Sequence, residues 1–576
     1  MDPLSFPAAG DPAWAAVHDQ SIVDAASKAL GQSWPELTAT GYLRYRRDGD
    51  RVGYETPYFA RRDRLATAVL AAAMTGRDDL LDDVVDGIWL LCEESTWCLP
   101  AHERAPLPDP DKPVLDLFAA ETGGLLAYTD LVLGARIEAV APGTRERLRR
   151  AARSRILAPY HEREEWWYAG VGSPLNNWNP WIHSNVLAVA LLLGPSDVDQ
   201  TLARVRTGLD NYLAVCPPDG GCDEGVAYWW RAAASLFECA ELLGRGYDPV
   251  LRRMARYPLV AHVAGEWQVN FADGPARPKP GSEAPALLYR FGRAVGDPEV
   301  MAHAAALAGA PRSAVPRHPA TSLARELAAL FDPPPSTGDF PYVGREWLPD
   351  TEVLVVRERP GRADGLFLAA KGGHNAENHN HNDVGTFIVA LDGRPVLVDA
   401  GVGRYTRQTF SDRRYEIWTM RSTHHNVPEM NGREQAPGPA HRATDVVCEG
   451  TGLAMELRDA YPMGAGIRSW RRTLRLDRGD PAAVVVTDAW ELADPGRVDL
   501  RLLAAAPVEV VAPGLLHAGG LAIRYDPALL TPAVEAVPLD DDELARVWGP
   551  ALYRVTLSGQ ALVASHTLTA GRLLSR

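Results

Sequence analysis

The stretch "NHNHNDVGTFIVALDGRPVLVDAG", residues 378–401, decides how the chain is read. Its two apolar runs flank Asp392-Gly393, a dipeptide that favours the tight turn of a two-residue β-hairpin because both central positions accept positive φ. At period two, His379, His381 and Asp383 fall on one face of the incoming strand and the asparagines on the other. The outgoing strand ends at Asp399, and "THHN" (423–426) follows. Two imidazoles and a carboxylate from neighbouring strands make a His/His/Asp set, which suits zinc or a similar divalent ion. With Asp392-Gly393 as the loop, Asp399 stands opposite about Thr386, so a bulge near Gly385 or a strand bend is needed to close the set. A solvated strand end with incidental histidines is the alternative, but the whole constellation favours a site.

Downstream of the hairpin the pattern stays β. Short β-branched runs such as "AAVVVTDAWEL", "VDLRLLAAA", "YRVTLSG" and "ALVASHTL" lie between turn signals. We expect antiparallel sheets packed face to face, a β-sandwich over 336–480 and a separate smaller sheet over 481–576. Upstream, "FDPPPSTGDFP" (331–341) breaks any helix, because proline fixes φ and removes donors. Before it, apolar residues recur at helical spacing, as in "RLATAVLAAAMTG", "NVLAVALLLG" and "RAAASLFECAELLG". Residues 1–335 therefore read as a multi-helix array, and the chain as multidomain α+β.

The bulk numbers limit what such a site belongs to. A chain of 576 residues exceeds what one core serves, so two or three domains are expected. The net charge of −15, with no Lys/Arg run, argues against nucleic acid or a membrane surface as partner. An anionic polymer requires basic and hydrogen-bonding groups gathered locally. The N-terminus has neither the positive start nor the apolar core of a secretory signal, so a cytoplasmic location is expected, or a secreted one if a leader has been trimmed. Six scattered cysteines without CxxC spacing read as reduced thiols.

Three stretches of the helical half carry further chemistry. "NNWNPWIHSN" (176–185) joins Asn177, Trp178, Asn179 and His183, and tryptophans beside carboxamides suit a sugar groove. Asn179-Pro180 could instead cap the following helix. "DGGCDEGVAYWW" (219–230) is a Gly-rich loop entering a helix that carries Asp223, Glu224 and Tyr228. Tyr228 is a candidate general acid or base if a cation or developing charge favours its phenolate, with a core tyrosine as the rival. "CEESTWCLPAH" (92–102) offers Trp97 and His102 to the same groove.

Together these motifs resemble those of the heparinase II/III-like polysaccharide lyases, over roughly residues 60–435. The HxHxD hairpin ending in DxG, a tyrosine-rich stretch and HN are similar to that family's C-terminal domain, and "NNWNPWIH" and "DEGVAYWW" to its N-terminal (α/α) toroid. The resemblance implies an incomplete toroid joined to a β-sandwich and β-elimination at a uronic acid. It implies Tyr228 as general acid, His183 as base for the opposite C5 epimer, His379 against leaving group or carboxylate, and Asn177 as carboxylate neutraliser with help from Asn179 or Arg421. Trp178, Trp97, His102, Glu224, Tyr405 and Tyr415 are implied substrate contacts, Tyr405 and Tyr415 also for a second acid/base role. His381, Asp399 and His425 are the implied ligands of a structural metal, with zinc first among divalent ions, and the choice of His425 over His424 rests on the asparagine that follows it. The partner is a uronate-containing oligo- or polysaccharide, and the oligomeric state is left open, a homodimer included. With lysines only at 28, 112, 279 and 371, a lightly charged oligomer such as alginate is favoured over heparin. Two rivals stand beside this reading: a glycoside hydrolase using Asp223 and Glu224, and an inactive carbohydrate-binding protein.

Overall fold

The computed structural model describes residues 4–573 apart from 165, 170–174, 195, 247, 310–321 and 337–338. The chain divides into two units. The first comprises Met1–Cys216, Trp230–Leu251 and Lys279–Gly338, and the second Pro217–Trp229, Arg252–Pro278 and Asp339–Arg576.

The first unit is the helical array. Its long helices include Val52–Thr75, Asp78–Glu93, Leu117–Val140, Trp178–Leu193, Val198–Leu213 and Ala233–Leu243, and neighbours in the chain pack on one another. Leu117–Val140 and Trp178–Leu193 are apolar nearly all round and buried to match, which makes them inner helices of the toroid. Among the described residues no helix is long and apolar enough to cross a membrane.

The second unit is built on antiparallel strands. Arg345–Leu348, Val353–Arg357, Leu366–Lys371, Phe387–Leu391 and Arg394–Leu397 form a meander. Ala483–Ala504 pairs with Ile467–Asp477 on one edge and Ala551–Arg572 on the other, and reaches the meander through Ala504 and Leu397. The expected separate sheet over 481–576 is therefore corrected: Ala483–Leu492 of its first strand pairs with Ile467–Asp477 of the preceding region, so the two form one sheet system.

Side chains of the central strands alternate between two cores. Leu366, Leu368, Ala370, Phe387 and Val389 face the sandwich interior. Phe367, Ala369, Ile388 and Ala390 face the other way, onto Val226, Val260, Val263 and Phe271. Burial on both faces is why these strands read as unbroken apolar runs. It also corrects the boundary: residues 217–229 and 252–278 lie in the helical half of the sequence but cover the outer face of the sheet.

The hairpin forms as read, with Asp392 and Gly393 at φ 51° and 77° and Leu391 opposite Arg394. A bulge between Val389 and Ala390 shifts the register by one. The approach to it differs from expectation. Residues 378–386 are not strand: His379 has φ 56°, and the Thr386 amide donates to the Asp383 carbonyl at 2.9 Å, closing a turn with Gly385 at φ 85°. His379, His381 and Asp383 thus do not share a strand face, and Asp383 instead takes Lys371 Nζ at 2.9 Å.

Arg472 ties this loop to the sandwich. Its guanidinium pairs with buried Asp488 and donates to the carbonyls of Gly385 (3.0 Å), two residues after the HxHxD motif, and Asn426 (2.8 Å), the last residue of THHN. Arg472→Met leaves Asp488 buried without its ion pair, so stability should fall by about 3–5 kcal/mol, read from the urea midpoint; Arg472→Met with Asp488→Leu should recover most of it.

Candidate active site and metal centre

Glycine and aspartate chemistry of the 217–229 segment sets up the site. Asp219 Oδ2 accepts from the amides of Asp350 (2.7 Å) and Thr351 (2.8 Å), fixing the loop to the sheet. Gly225 has φ 93°, and a Cβ there would stand 2.7 Å from the Phe271 carbonyl. Only glycine lets the short helix Val226–Trp229 start this close to residues 270–274. Asp223 Oδ2 then accepts from the backbone (3.2 Å) and side chain (2.9 Å) of Asn378, drawing the histidine loop against the same segment.

At the centre lies Asp273, whose side chain is fully buried. Oδ2 accepts from His379 Nδ1 (2.7 Å) and the Tyr405 hydroxyl (3.1 Å). Oδ1 accepts from His381 Nε2 (3.0 Å) and Arg414 Nη2 (2.6 Å). Burial by itself would raise its pKa, but these donors and the adjacent cations hold it far below the usual carboxylate range.

His379 Nε2 faces Glu224 Oε2 at 3.2 Å, so both ring nitrogens meet carboxylates. Burial pulls the imidazole pKa down, and the hydrogen bonds to Asp273 and Glu224 outweigh it, holding the value up to about 9. His379 is an imidazolium at neutral pH. Its ring stacks on Tyr228 with centroids 4.1 Å apart and planes at 27°. The Tyr228 and Tyr405 hydroxyls are 2.7 Å apart; because Tyr405 donates to Asp273, Tyr228 donates to Tyr405.

Behind this cluster stands the His381, Asp399 and His425 group, each offering one atom within 4.8 Å of the others. The tautomers are set by acceptors that cannot donate. His381 Nε2–H is committed to Asp273, and His425 Nε2–H to the Thr419 carbonyl at 3.0 Å. Both histidines therefore turn bare Nδ1 lone pairs inward. Asp399 Oδ1 accepts from the Gly401 amide, leaving Oδ2 facing them. His381 Nδ1, His425 Nδ1 and Asp399 Oδ2 are buried and make no hydrogen bond, although the last two stand 2.9 Å apart. Three orphaned buried acceptors converging on one point have the chemistry of a group that would hold a divalent cation. His424 points elsewhere, with Nε2 3.2 Å from Arg554 Nη1.

Other expected residues are placed differently. His183 is fully buried in the helical unit, with Nδ1 3.2 Å from Asn179 Oδ1 and its ring where a Gly208 Cβ would be. Burial holds its pKa down at about 3. That corrects its reading as a base facing a sugar: the imidazole is neutral core. Asn179 is equally committed, donating to the Tyr168 and Gly208 carbonyls, and neither caps the helix nor presents an amide to substrate. Trp97 is core, its indole bonded to the Leu91 carbonyl, and His102 Nδ1 is held by Asp116 at 2.6 Å. Asn177 is buried at the start of its helix, and Trp178 lies 4.6 Å from the His102 ring. Arg421 is taken up by Glu434, so its charge is not spare for a substrate carboxylate. The Tyr415 hydroxyl accepts from Asn380 Nδ2 at 3.1 Å. Asp273 and Arg414 escaped the sequence reading: "ADGP" (272–275) reads as a turn, and Arg414 is one of several arginines between 404 and 421.

A helical toroid and a β-sandwich, with a histidine-rich loop feeding both an acid–base cluster and a cation group, define the class: the toroid-plus-sandwich fold found in polysaccharide lyases. Within that class, residues 346–523 match the family model described as heparinase II/III-like, C-terminal. The crystal structure of a heparinase III is similar at TM-score 0.68 and 13% identity, covering 99% of this chain and 88% of that one. A heparan sulfate lyase from Pedobacter heparinus gives 0.61 and 12%, covering 100% and 86%. Chondroitin AC lyase from Streptomyces coelicolor A3 gives 0.52 and 12%, covering 99% and 81%. No curated protein sequence matches the chain.

The ligand geometry separates two adjacent histidines. His425→Ala should remove bound divalent metal, and His424→Ala should leave it near the parent's content, both read by elemental analysis after gel filtration. Burial of neutral His183 has its own signature. The folded-state pKa of about 3 lies below the ordinary 6.5, so the unfolded chain binds the proton first. Its share of stability is complete above pH 6.5 and is lost as the pH falls toward 3. His183→Gln should flatten the fall of the melting temperature across that window.

Proposed function

We propose that the protein is a polysaccharide lyase that cleaves a uronate-containing glycan by β-elimination, leaving a 4,5-unsaturated uronate. One observation carries this reading: a tyrosine phenol stacked on an imidazolium whose charge two carboxylates fix. Elimination removes the proton from C5, forms the C4–C5 double bond and breaks the bond from C4 to O4. The C5 proton is acidic only when the neighbouring carboxylate is neutralised, and O4 leaves only when protonated. His379, cationic at neutral pH, supplies the neutralising charge. Where H5 and O4 lie on the same side of the ring, Tyr228 gives its proton to O4 and takes the C5 proton in exchange, so the phenol is restored at the end of the step. Tyr405 holds the Tyr228 oxygen through the 2.7 Å contact and Asp273 holds Tyr405.

The metal reading is zinc, on the strength of two imidazole nitrogens and one carboxylate oxygen. The ion would hold His381, Asp399 and His425 together as a structural cross-link and takes no part in the proton transfers. Of the substrates, glycosaminoglycans come first, since the similar structures are heparinase, heparan sulfate lyase and chondroitin lyase. The alginate preference rests on the scarcity of lysine alone. A hydrolase finds less support: Asp223 is bonded to Asn378 and Glu224 faces His379, so the pair is not disposed across a glycosidic bond.

Heparan sulfate, chondroitin sulfate and alginate should be screened for an ultraviolet-absorbing product. On the polymer that reacts, Tyr228→Phe should lower kcat by about 10²- to 10⁴-fold with KM little changed. Reducing ends that appear without the chromophore would identify a hydrolase instead.

A further inference from the structure

We infer that Asp273 is the positioning residue of the reaction, one carboxylate shared between the active-site imidazole of His379 and the metal-group imidazole of His381. The inference rests on the lyase reading for the role of His379, and on geometry alone for that of His381.

Its two oxygens face different tasks. Oδ1 receives His381 Nε2–H and Arg414, and so fixes the tautomer that turns His381 Nδ1 toward Asp399 and His425. Oδ2 receives His379 Nδ1–H and the Tyr405 hydroxyl, and so fixes the ring plane on which Tyr228 stacks. A carboxylate that accepts from a ligating histidine sharpens metal affinity by orienting the ring and raising its basicity. Here the same carboxylate also orients the His379 imidazole on which Tyr228 stacks. His379 occupies the left-handed region at φ 56°, a conformation that persists only where surroundings over-determine it. Arg414 completes the clamp by donating to the carbonyls of Asn380 (2.9 Å) and Thr409 (2.9 Å), which fixes the backbone between the two histidines.

The segment that delivers Asp273 is itself built for the purpose. Ala272 sits at φ 61°, Asn270 Nδ2 donates to the Asp399 carbonyl at 3.1 Å, and a Cβ on Gly401 would meet the Gly274 carbonyl at 3.0 Å. Residues 270–274 are thus locked onto the strand end that carries the Asp399 ligand. A displacement of either histidine is felt by the other through one rigid group.

The test uses the full chain as purified with its metal. Asp273→Asn keeps the shape but cannot accept from all four donors. It should weaken affinity for zinc by about 10- to 100-fold in competition with a chromophoric chelator, and lower kcat with little change in KM. Combined with His381→Ala it should lower kcat by much less than the product of the single effects, because both act through one unit. Asp273→Glu, which restores charge but not reach, should recover part of the zinc affinity. If Asp273→Asn folds, as judged by a cooperative melt, and keeps both zinc affinity and kcat within twofold of the parent, the inference is overturned. If it does not fold, Arg414→Gln takes its place with the same readouts and the same criterion. Should no polymer yield the unsaturated product, the lyase reading fails while the zinc measurement still decides whether Asp273 serves His381.

Discussion

A carboxylate removed from water must have its acceptor sites filled, and Asp273 fills four of them with groups that matter to the site. Two imidazoles, a guanidinium and a phenol converge on it. Charged hydrogen bonds of this kind are short and strong, and the cost of leaving any member unpaired in the interior is high. The positions of His379, His381, Tyr405 and Arg414 are therefore not independent. The arrangement explains why the histidine loop gives up regular structure. A β-strand would place both imidazoles on one face about 7 Å apart, whereas here they reach the two oxygens of a single carboxylate.

Much of the architecture could be read from the chain because the relevant signals are local. Apolar residues at helical period, the prolines at 333–335, β-branched runs and Asp392-Gly393 each specify an element within a dozen residues. The His381, Asp399 and His425 set was legible for a related reason: its members sit close in sequence, and the requirement for a bend near Gly385 followed from counting residues around a turn of known length. What could not be read is what depends on long separations. Residue 273 stands more than 100 positions before the histidines it joins, and nothing in "ADGP" distinguishes a functional aspartate from a turn former. His183 misled for the converse reason. A histidine between tryptophans and asparagines has the composition of a sugar site, but composition does not say which side of a helix faces the core.

The sheet unit shows why a boundary drawn on texture fails. Residues 217–229 and 252–278 have helical or loop composition, so periodicity assigns them to the helical half. Their apolar side chains are nonetheless the cover of a sheet whose strands are hydrophobic on both faces, and a sheet with two apolar faces must find two covers. The sandwich partner supplies one, and Val226, Val260, Val263 and Phe271 supply the other. Covering the sheet and building the site are then one event, since the same segments bring Glu224, Tyr228 and Asp273 to the histidine loop.

The two carboxylates on His379 differ in a way that bears on how an acidic sugar is received. Asp273 holds Nδ1 at 2.7 Å from a fully buried position, while Glu224 meets Nε2 at the longer 3.2 Å. Both carboxylates are buried, and the longer contact, from Glu224, is at Nε2. On the lyase reading, a substrate carboxylate that reaches Nε2 replaces one anion by another, so the imidazolium keeps its charge without passing through an unpaired state. A chain of net charge −15 can then take a polyanion without a broad basic surface. What it requires is one cation, held by an acid on the far side and offered to another on the near side.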